Sequence, residues 1–290
     1  MPCSVCLAHV FKLKFKYKQT KYEGNMTETS SKGVLRLTIA MFLSVGLLGM
    51  WIGGCGNQTP EQKIERLIEE LRDEDWIVRA DAAAELGRMG EGAKDAVPAL
   101  IQALQDQVWV VRDNVAGALG EIGAKNAVPA LIQALQDQVW VVRGNAAGAL
   151  GETGEGAKDA ISALILALQD EDVRDNAAMA LWKIGKDAAP ALIQALQDQD
   201  ADVRYFVTGA LGQIGSEDAV PALIQALQDS DAEVRYNATW ALGNIGEGAV
   251  PALIQASQDP DEGVCWNAAE ALGKIGTPEA LEAVKKYQSR

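Results

Sequence analysis

The sequence predicts an all-α protein whose helical hairpins stack into a superhelix, an α-solenoid. One eight-residue phrase, VPALIQAL at 97–104, recurs at 128–135 and 220–227, and nearly intact at 161–168, 189–196 and 250–257. A second phrase follows each copy: Val-Arg (Val-Cys in the last), an Ala-rich stretch, then, in most repeats, Leu-Gly and Ile-Gly. Aromatic residues make up only 6% of the chain, which favours helices over sheet. The period of about 31 residues is typical of proteins built from stacked repeats.

Residues 1–54 are predicted to be a leader that directs export. An uncharged, mostly apolar run at 37–54 follows two basic residues and precedes a polar, acidic segment. This order is typical of an export signal. A start at Met26 would give a signal of ordinary length, so residues 1–25 are interpreted as an over-extended start.

The apolar run ends on Ile52-Gly53-Gly54-Cys55, which resembles the bacterial lipobox. The resemblance implies that Cys55 is lipidated and becomes the new N-terminus, and that 55–60 is a short tether. It also implies a place at the cell envelope, on the outer-membrane or periplasmic side in a Gram-negative host. The alternative is an uncleaved N-terminal membrane helix, since about eighteen apolar residues just span a bilayer. Both interpretations tether the chain to a membrane.

The two recurring phrases are predicted to form the two helices of one hairpin. Leu100, Ile101 and Leu104 fall on one face of the first helix, as Val111 and Val115 do on the second. Prolines stand where they suit a first helical turn, and glycines where a helix stops. We predict seven hairpins and a final helix from Thr277: 61–90, 95–123, 127–154, 159–185, 188–215, 219–246 and 250–276. One hairpin cannot bury its apolar face alone, so the hairpins stack into one solenoid over 61–290.

An aspartate stands six residues before the arginine in five repeats: Asp73/Arg79, Asp106/Arg112, Asp137/Arg143, Asp198/Arg204 and Asp229/Arg235. With the repeated phrases, this motif resembles HEAT-like repeats of the short kind found in phycobilisome bilin lyases, over residues 61–288. In that family the aspartates and arginines form a ladder between adjacent repeats, which implies a structural role for them here. The Asp170/Arg174 spacing is two residues shorter and Asp259 faces Cys265, so the ladder is expected to be irregular in repeat 4 and lost in repeat 7.

The charge of the chain excludes nucleic acid as a partner. The chain has 26 basic and 40 acidic residues; seven basic and two acidic ones lie in 1–54, which leaves 19 and 38, a formal net charge of −19, from residue 55 onward. A body this acidic repels phosphate backbones.

The sequence predicts no catalytic residue, no cofactor and no metal. The body has no histidine, the usual general acid or base near neutral pH, and only two cysteines, Cys55 and Cys265. The HEAT-like deoxyhypusine hydroxylases bind iron through His-Glu pairs, which this body cannot supply. Cys265 is interpreted as a small buried residue in the place of a ladder arginine, with a functional thiol as the alternative.

A partner-binding face is predicted on the second helices. Taking each repeat arginine as origin, positions two and five residues later point away from the core, and the family resemblance places this face on the concave surface. The predicted binding residues are Asn114, Asn145, Asn176, Phe206, Asn237, Trp240 and Asn267. The alternative is that asparagine is merely a tolerated repeat residue. Two aromatic rows, Trp76, Trp109 and Trp140, and Tyr205, Tyr236 and Trp266, form either an exposed ridge or packing between loops.

Two functions fit these features. The first is a non-enzymatic, membrane-anchored scaffold that binds a protein or peptide on its concave surface. The alternative is a bilin lyase-like or chaperone-like factor that acts on a chromophore protein.

Overall fold

The computed structural model describes residues 58–260 and 262–289. The predicted leader, Met26 and Cys55 lie outside the described residues. Over the described ranges all regular structure is helical, and no strand is present. None of the helices in these ranges is both long and apolar enough to cross a membrane.

The helices alternate between a short first helix and a longer second helix in each repeat. In chain order they are α1 (Pro60–Glu70), α2 (Trp76–Arg88), α3 (Val97–Ala103), α4 (Trp109–Ile122), α5 (Val128–Ala134), α6 (Trp140–Glu152), α7 (Ile161–Ala167), α8 (Arg174–Ile184), α9 (Ala189–Ala195), α10 (Ala201–Ile214), α11 (Val220–Ala226), α12 (Ala232–Ile245), α13 (Val250–Ala256), α14 (Glu262–Ile275) and α15 (Pro278–Gln288). The prediction of an all-α solenoid of seven hairpins is confirmed, and α15 follows the last hairpin.

The helix ends follow from proline and glycine. Proline occupies the first turn of the first helix in repeats 2, 3, 5, 6 and 7, where its missing N–H costs nothing. A glycine with φ between 55° and 82° follows each second helix. This left-handed conformation is strained for other residues, so the glycine lets the chain reverse towards the next repeat.

Two columns of fully buried leucines run through the array. Each of the first helices α3 to α13 contributes one, and each second helix contributes one: Leu100, Leu131, Leu164, Leu192, Leu223 and Leu253, and Leu86, Leu119, Leu150, Leu181, Leu211, Leu242 and Leu272. Burial of one such side chain contributes about 2 kcal/mol. The core is therefore continuous along the array, and no hairpin encloses it alone.

Successive second helices contact each other more extensively than successive first helices do. The cause is the glycine of the Leu-Gly pair, which faces an alanine of the next second helix. A methyl group on Gly120 would lie 2.8 Å from the Cα of Ala149, and Gly87, Gly151 and Gly212 show the same close approach to the following repeat. The second helices therefore form one closely packed layer and the first helices the other. The resemblance drawn from the sequence implies that the second helices are the inner, concave layer and the first helices the outer one.

An arginine in each regular repeat ties its own loop to the next repeat. Arg112 donates from Nε and Nη2 to the carboxylate of Asp137, at 2.6 and 2.8 Å, and from Nη1 to the carbonyl oxygen of Asp106, at 2.7 Å. Such paired, charge-assisted hydrogen bonds are among the strongest in proteins. Equivalent pairs join Arg79 to Asp106, Arg143 to Asp170 and Arg204 to Asp229, while Asp73, Asp198 and Asp229 accept from Arg79, Arg204 and Arg235 through their carbonyl oxygens.

Candidate functional site

Repeat 4 departs from the others at the start of its second helix. The loop before α8 is two residues shorter, so Arg174 is the first residue of its helix, whereas the equivalent arginines are fourth in theirs. Arg174 pairs with Asp202 of the next repeat and not with Asp198. Among the described residues its Nε is a buried donor without a hydrogen-bond partner. The ladder is thus irregular in this repeat.

The second departure in repeat 4 is Trp182, which stands where other repeats have the Leu-Gly glycine. It lies eight residues after Arg174, as Gly120 lies eight residues after Arg112. An indole cannot approach a neighbouring helix as closely as glycine does. Between α8 and α10 the close glycine–alanine contact is therefore absent.

An open groove of about 410 Å³ lies beside Trp182, on the exposed face of the second helices. We call it the aromatic groove. Its large apolar side chains come from α8, α10 and α12: Met179, Trp182, Tyr205, Phe206, Tyr236 and Trp240. Gln213 and Asn237 add amide groups, and none of the lining residues is charged.

The rings of the aromatic groove have defined neighbours. Tyr205 and Phe206 meet edge to face, with centroids 5.3 Å apart and an interplanar angle of 88°. The Nζ of Lys274, from repeat 7, lies 5.6 Å from the centroid of Tyr236. Lys274 is also paired with Glu270 at 3.0 Å, so its charge is balanced locally.

The predicted asparagine row is largely occupied by contacts within the array. Asn114 donates to the carbonyl oxygen of Val110 at 2.8 Å, and Asn145 donates to Asp113 at 2.7 Å. Asn237 donates from Nδ2 to the carbonyl oxygen of Tyr205 at 3.0 Å. These bonds favour a structural interpretation of the asparagines, although Asn237 also lines the groove.

Asn267 does not fit the prediction that it contacts a partner, because only 8% of the residue is exposed. A helical wheel orders positions around one helix and takes no account of the helices beside it. Asn176, by contrast, is exposed at the equivalent position of repeat 4.

Phe206 and Trp240 are the two predicted residues that the structure brings together in the aromatic groove. Trp182 was missed, although the sequence carries a signal for it: the Leu-Gly pair becomes Leu181-Trp182 in this repeat alone. In the early aromatic row, Trp76 is half-buried against the core, whereas Trp109 and Trp140 are exposed at the first residues of α4 and α6. That row is therefore partly packing and partly surface.

Cys265 occupies the ladder position of repeat 7 as a buried, free cysteine. Its thiol donates to the carbonyl oxygen of Asp259 at 2.9 Å, the acceptor that a ladder arginine uses in other repeats. This contact supports the structural interpretation of Cys265. Within the described ranges no cluster of His, Cys, Asp or Glu is arranged to hold a metal.

A model of HEAT repeats matches this chain at residues 64–151, 109–172, 161–230 and 220–289. No curated protein matches it significantly.

Several solved structures resemble the fold. The chain is 26% identical to the CpcE and CpcF complex of phycocyanin lyase from Nostoc sp. PCC7120, with a TM-score of 0.44, covering 82% of this chain and 97% of that one. An engineered protein has 24% identity and a TM-score of 0.45, covering 78% and 72%. Human deoxyhypusine hydroxylase in complex with glycerol has 25% identity and a TM-score of 0.34, covering 76% and 98%.

Proposed function

This chain belongs to the HEAT-repeat family, and from that premise we propose that it is a non-enzymatic scaffold that binds a protein or peptide partner on its concave face. HEAT repeats commonly mediate protein binding, because stacked repeats present an extended concave surface. The observation that carries the proposal is the aromatic groove across repeats 4 to 6.

The composition of the groove supports protein binding. Large aromatic side chains and methionine are enriched at the centres of protein interfaces and supply much of their binding energy. Trp182 and Met179 are 41% and 52% exposed, so they present apolar surface that the solenoid itself leaves uncovered. Neither the ladder nor the leucine columns use these two side chains.

The exposed groove side chains are well suited to a cross-linking test of this site. With Met179→p-benzoylphenylalanine in the full chain, irradiation of the native cells is expected to yield a discrete cross-linked protein. Adding Trp182→Ala is expected to weaken binding about tenfold or more and so to reduce that product strongly.

The matched control lies on the outer layer of the same repeat. Leu166 of α7 is 62% exposed, so Leu166→p-benzoylphenylalanine places the same reagent on a first helix. Equal cross-linking from both positions contradicts a concave binding site. A cross-linked partner that carries a visible-light chromophore would support the bilin-protein alternative.

We also propose that the scaffold is anchored to a membrane through a lipid on Cys55. The support is the order of the leader: basic residues, an apolar run, and small residues before the cysteine. One acyl chain alone binds membranes weakly, so a stable anchor needs more than one chain.

Cys55→Ala is expected to abolish metabolic labelling of the protein by a fatty acid and to leave a longer, unprocessed precursor. Gel mobility and radiolabel in the same sample measure both effects. Cys265→Ala is the control and is expected to keep full labelling. Persistent labelling of the Cys55 variant would show that the anchor is elsewhere.

A further inference from the structure

We infer that the partner binds as a cationic segment, with an arginine side chain seated in the aromatic groove. This inference rests on the proposed function and specifies the chemistry of the partner. It follows from the polar groups of the groove, from its rings, and from the charges on the concave face beside it.

The groove contains two amide oxygens that can accept hydrogen bonds, those of Gln213 and Asn237. Asn237 uses one N–H of Nδ2 to donate to the carbonyl oxygen of Tyr205, and its Oδ1 can accept from a ligand. Gln213 is exposed and supplies a second amide oxygen. A guanidinium group carries five N–H donors and no acceptor, so it fits two amide oxygens.

The rings of the groove suit a cation. Aromatic faces attract ammonium and guanidinium groups, and arginine also stacks flat on them. Tyr236 already has the Lys274 ammonium 5.6 Å from its centroid, at the edge of the groove nearest repeat 7. The rings of Trp182, Tyr205 and Trp240 border the same groove, whose lining side chains are uncharged. The ammonium of Lys274 beside it is paired with Glu270, which weakens its repulsion of a second cation.

Repeats 1 to 4 make the approach to the groove acidic. Asp175 directly follows the arginine of repeat 4, as Tyr205 and Tyr236 directly follow the arginines of repeats 5 and 6. Asp175 is exposed. At positions one, two, five and nine residues after the arginine of repeats 1 to 4, the carboxylates are Asp81, Asp113, Glu121, Glu152 and Asp175, whereas the basic residues are Arg88 and Lys183. Lys183 is paired with Glu152 at 2.5 Å. The excess of carboxylates attracts a basic segment and disfavours an acidic one.

Arginine fits the groove better than either neutral or anionic side chains. An apolar side chain would fill the space between the rings but would leave the amide oxygens of Gln213 and Asn237 unsatisfied when water is displaced. A carboxylate or phosphate would meet no charged donor in the groove and would face the acidic approach. Lysine has the charge but lacks the flat surface that stacks on aromatic rings.

The test uses short fluorescein-labelled peptides that share two lysines and differ at one central residue: arginine, lysine, norleucine or glutamate. Fluorescence anisotropy with the purified chain measures each Kd. The arginine peptide is expected to bind tightest, the norleucine peptide about tenfold more weakly, and the glutamate peptide more weakly still. Rising NaCl is expected to weaken the arginine peptide more than the norleucine peptide.

Protein variants assign the effect to the groove. Trp182→Ala is expected to weaken the arginine peptide about tenfold and to remove its advantage over norleucine, whereas Leu166→Ala leaves both affinities unchanged. Equal binding of the arginine and norleucine peptides, or no binding of any peptide, would overturn the inference that the groove binds an arginine side chain. A groove-specific cross-link from Met179 in the same preparation would then still support the proposed protein-binding function. If that cross-link is also absent, the proposed function is contradicted as well.

Discussion

Gly120→Ala is expected to lower the free energy of unfolding by about 2 kcal/mol, while Gly117→Ala, three residues earlier in α4, raises it by about 0.5–1 kcal/mol. The two substitutions add the same methyl group to the same helix. They differ only in what that methyl group meets, so opposite signs isolate the effect of packing between repeats.

The reason is the spacing of the second helices. A methyl group on Gly120 would lie 2.8 Å from the Cα and 3.0 Å from the Cβ of Ala149, so α6 must move away from α4. A methyl group on Gly117 would have no neighbour within 4 Å, so only the better helix propensity of alanine remains.

Urea unfolding followed by circular dichroism measures both variants against the parent. The difference between them is expected to be about 3 kcal/mol at unchanged helix content in water. If Gly120→Ala proves as stable as Gly117→Ala, close contact between glycine and alanine does not set the spacing of the inner layer.

Arg112→Met is expected to lower the free energy of unfolding by about 3 kcal/mol. Methionine keeps the apolar stem but removes every donor, which leaves the carboxylate of Asp137 and the carbonyl oxygen of Asp106 without the guanidinium. The side chains of Arg112 and Asp137 are 15% and 12% exposed, so water replaces the lost bonds poorly. Lys94→Met removes a far more exposed ion pair, with Glu91, and is expected to change stability little.

The loss in Arg112→Met depends on pH. Burial alone raises the pKa of Asp137, but the Arg112 hydrogen bonds, the Val139 N–H and the neighbouring charges together lower that pKa below its usual 3.8. Because the folded pKa is the lower one, this stabilisation is present above about pH 4 and is lost as the pH falls through the folded value. The parent and the variant are therefore expected to converge in urea midpoint below about pH 4. A constant difference down to pH 2 would show that the carboxylate charge is not responsible.

Local chemistry made the fold predictable from the sequence. The spacing of proline, glycine and leucine determines structure within one repeat, so each hairpin could be assigned from its own residues. Because the unit recurs seven times, the same assignment applied to each copy. The irregular ladder of repeat 4 was visible for the same reason, since Arg174 follows Asp170 too closely.

The candidate site was less predictable because it depends on distances between repeats. The helical wheel placed Phe206 and Trp240 on the correct face but could not show that Trp182 lines the same groove. It also gave Asn114, Asn145 and Asn267 the same status as Asn237, although two of them bond within the array and one is buried. Contacts with neighbouring helices determine which of these asparagines are exposed and free to bind. The residue pattern of a single helix holds no information about those contacts.

The substitution of Trp182 for a packing glycine also has a mechanical consequence. Stiffness in a repeat array is a property of each nearest-neighbour interface, and the interface between α8 and α10 lacks the close glycine contact found on either side of it. A partner in the groove would contact Trp182 on one side of this interface and Tyr205 on the other. Such a partner would restrict bending between α8 and α10. A bound ligand stabilises the conformation that it prefers, so bending at the interface between α8 and α10 and affinity in the groove are linked. A force that opens the superhelix therefore changes the affinity for the partner.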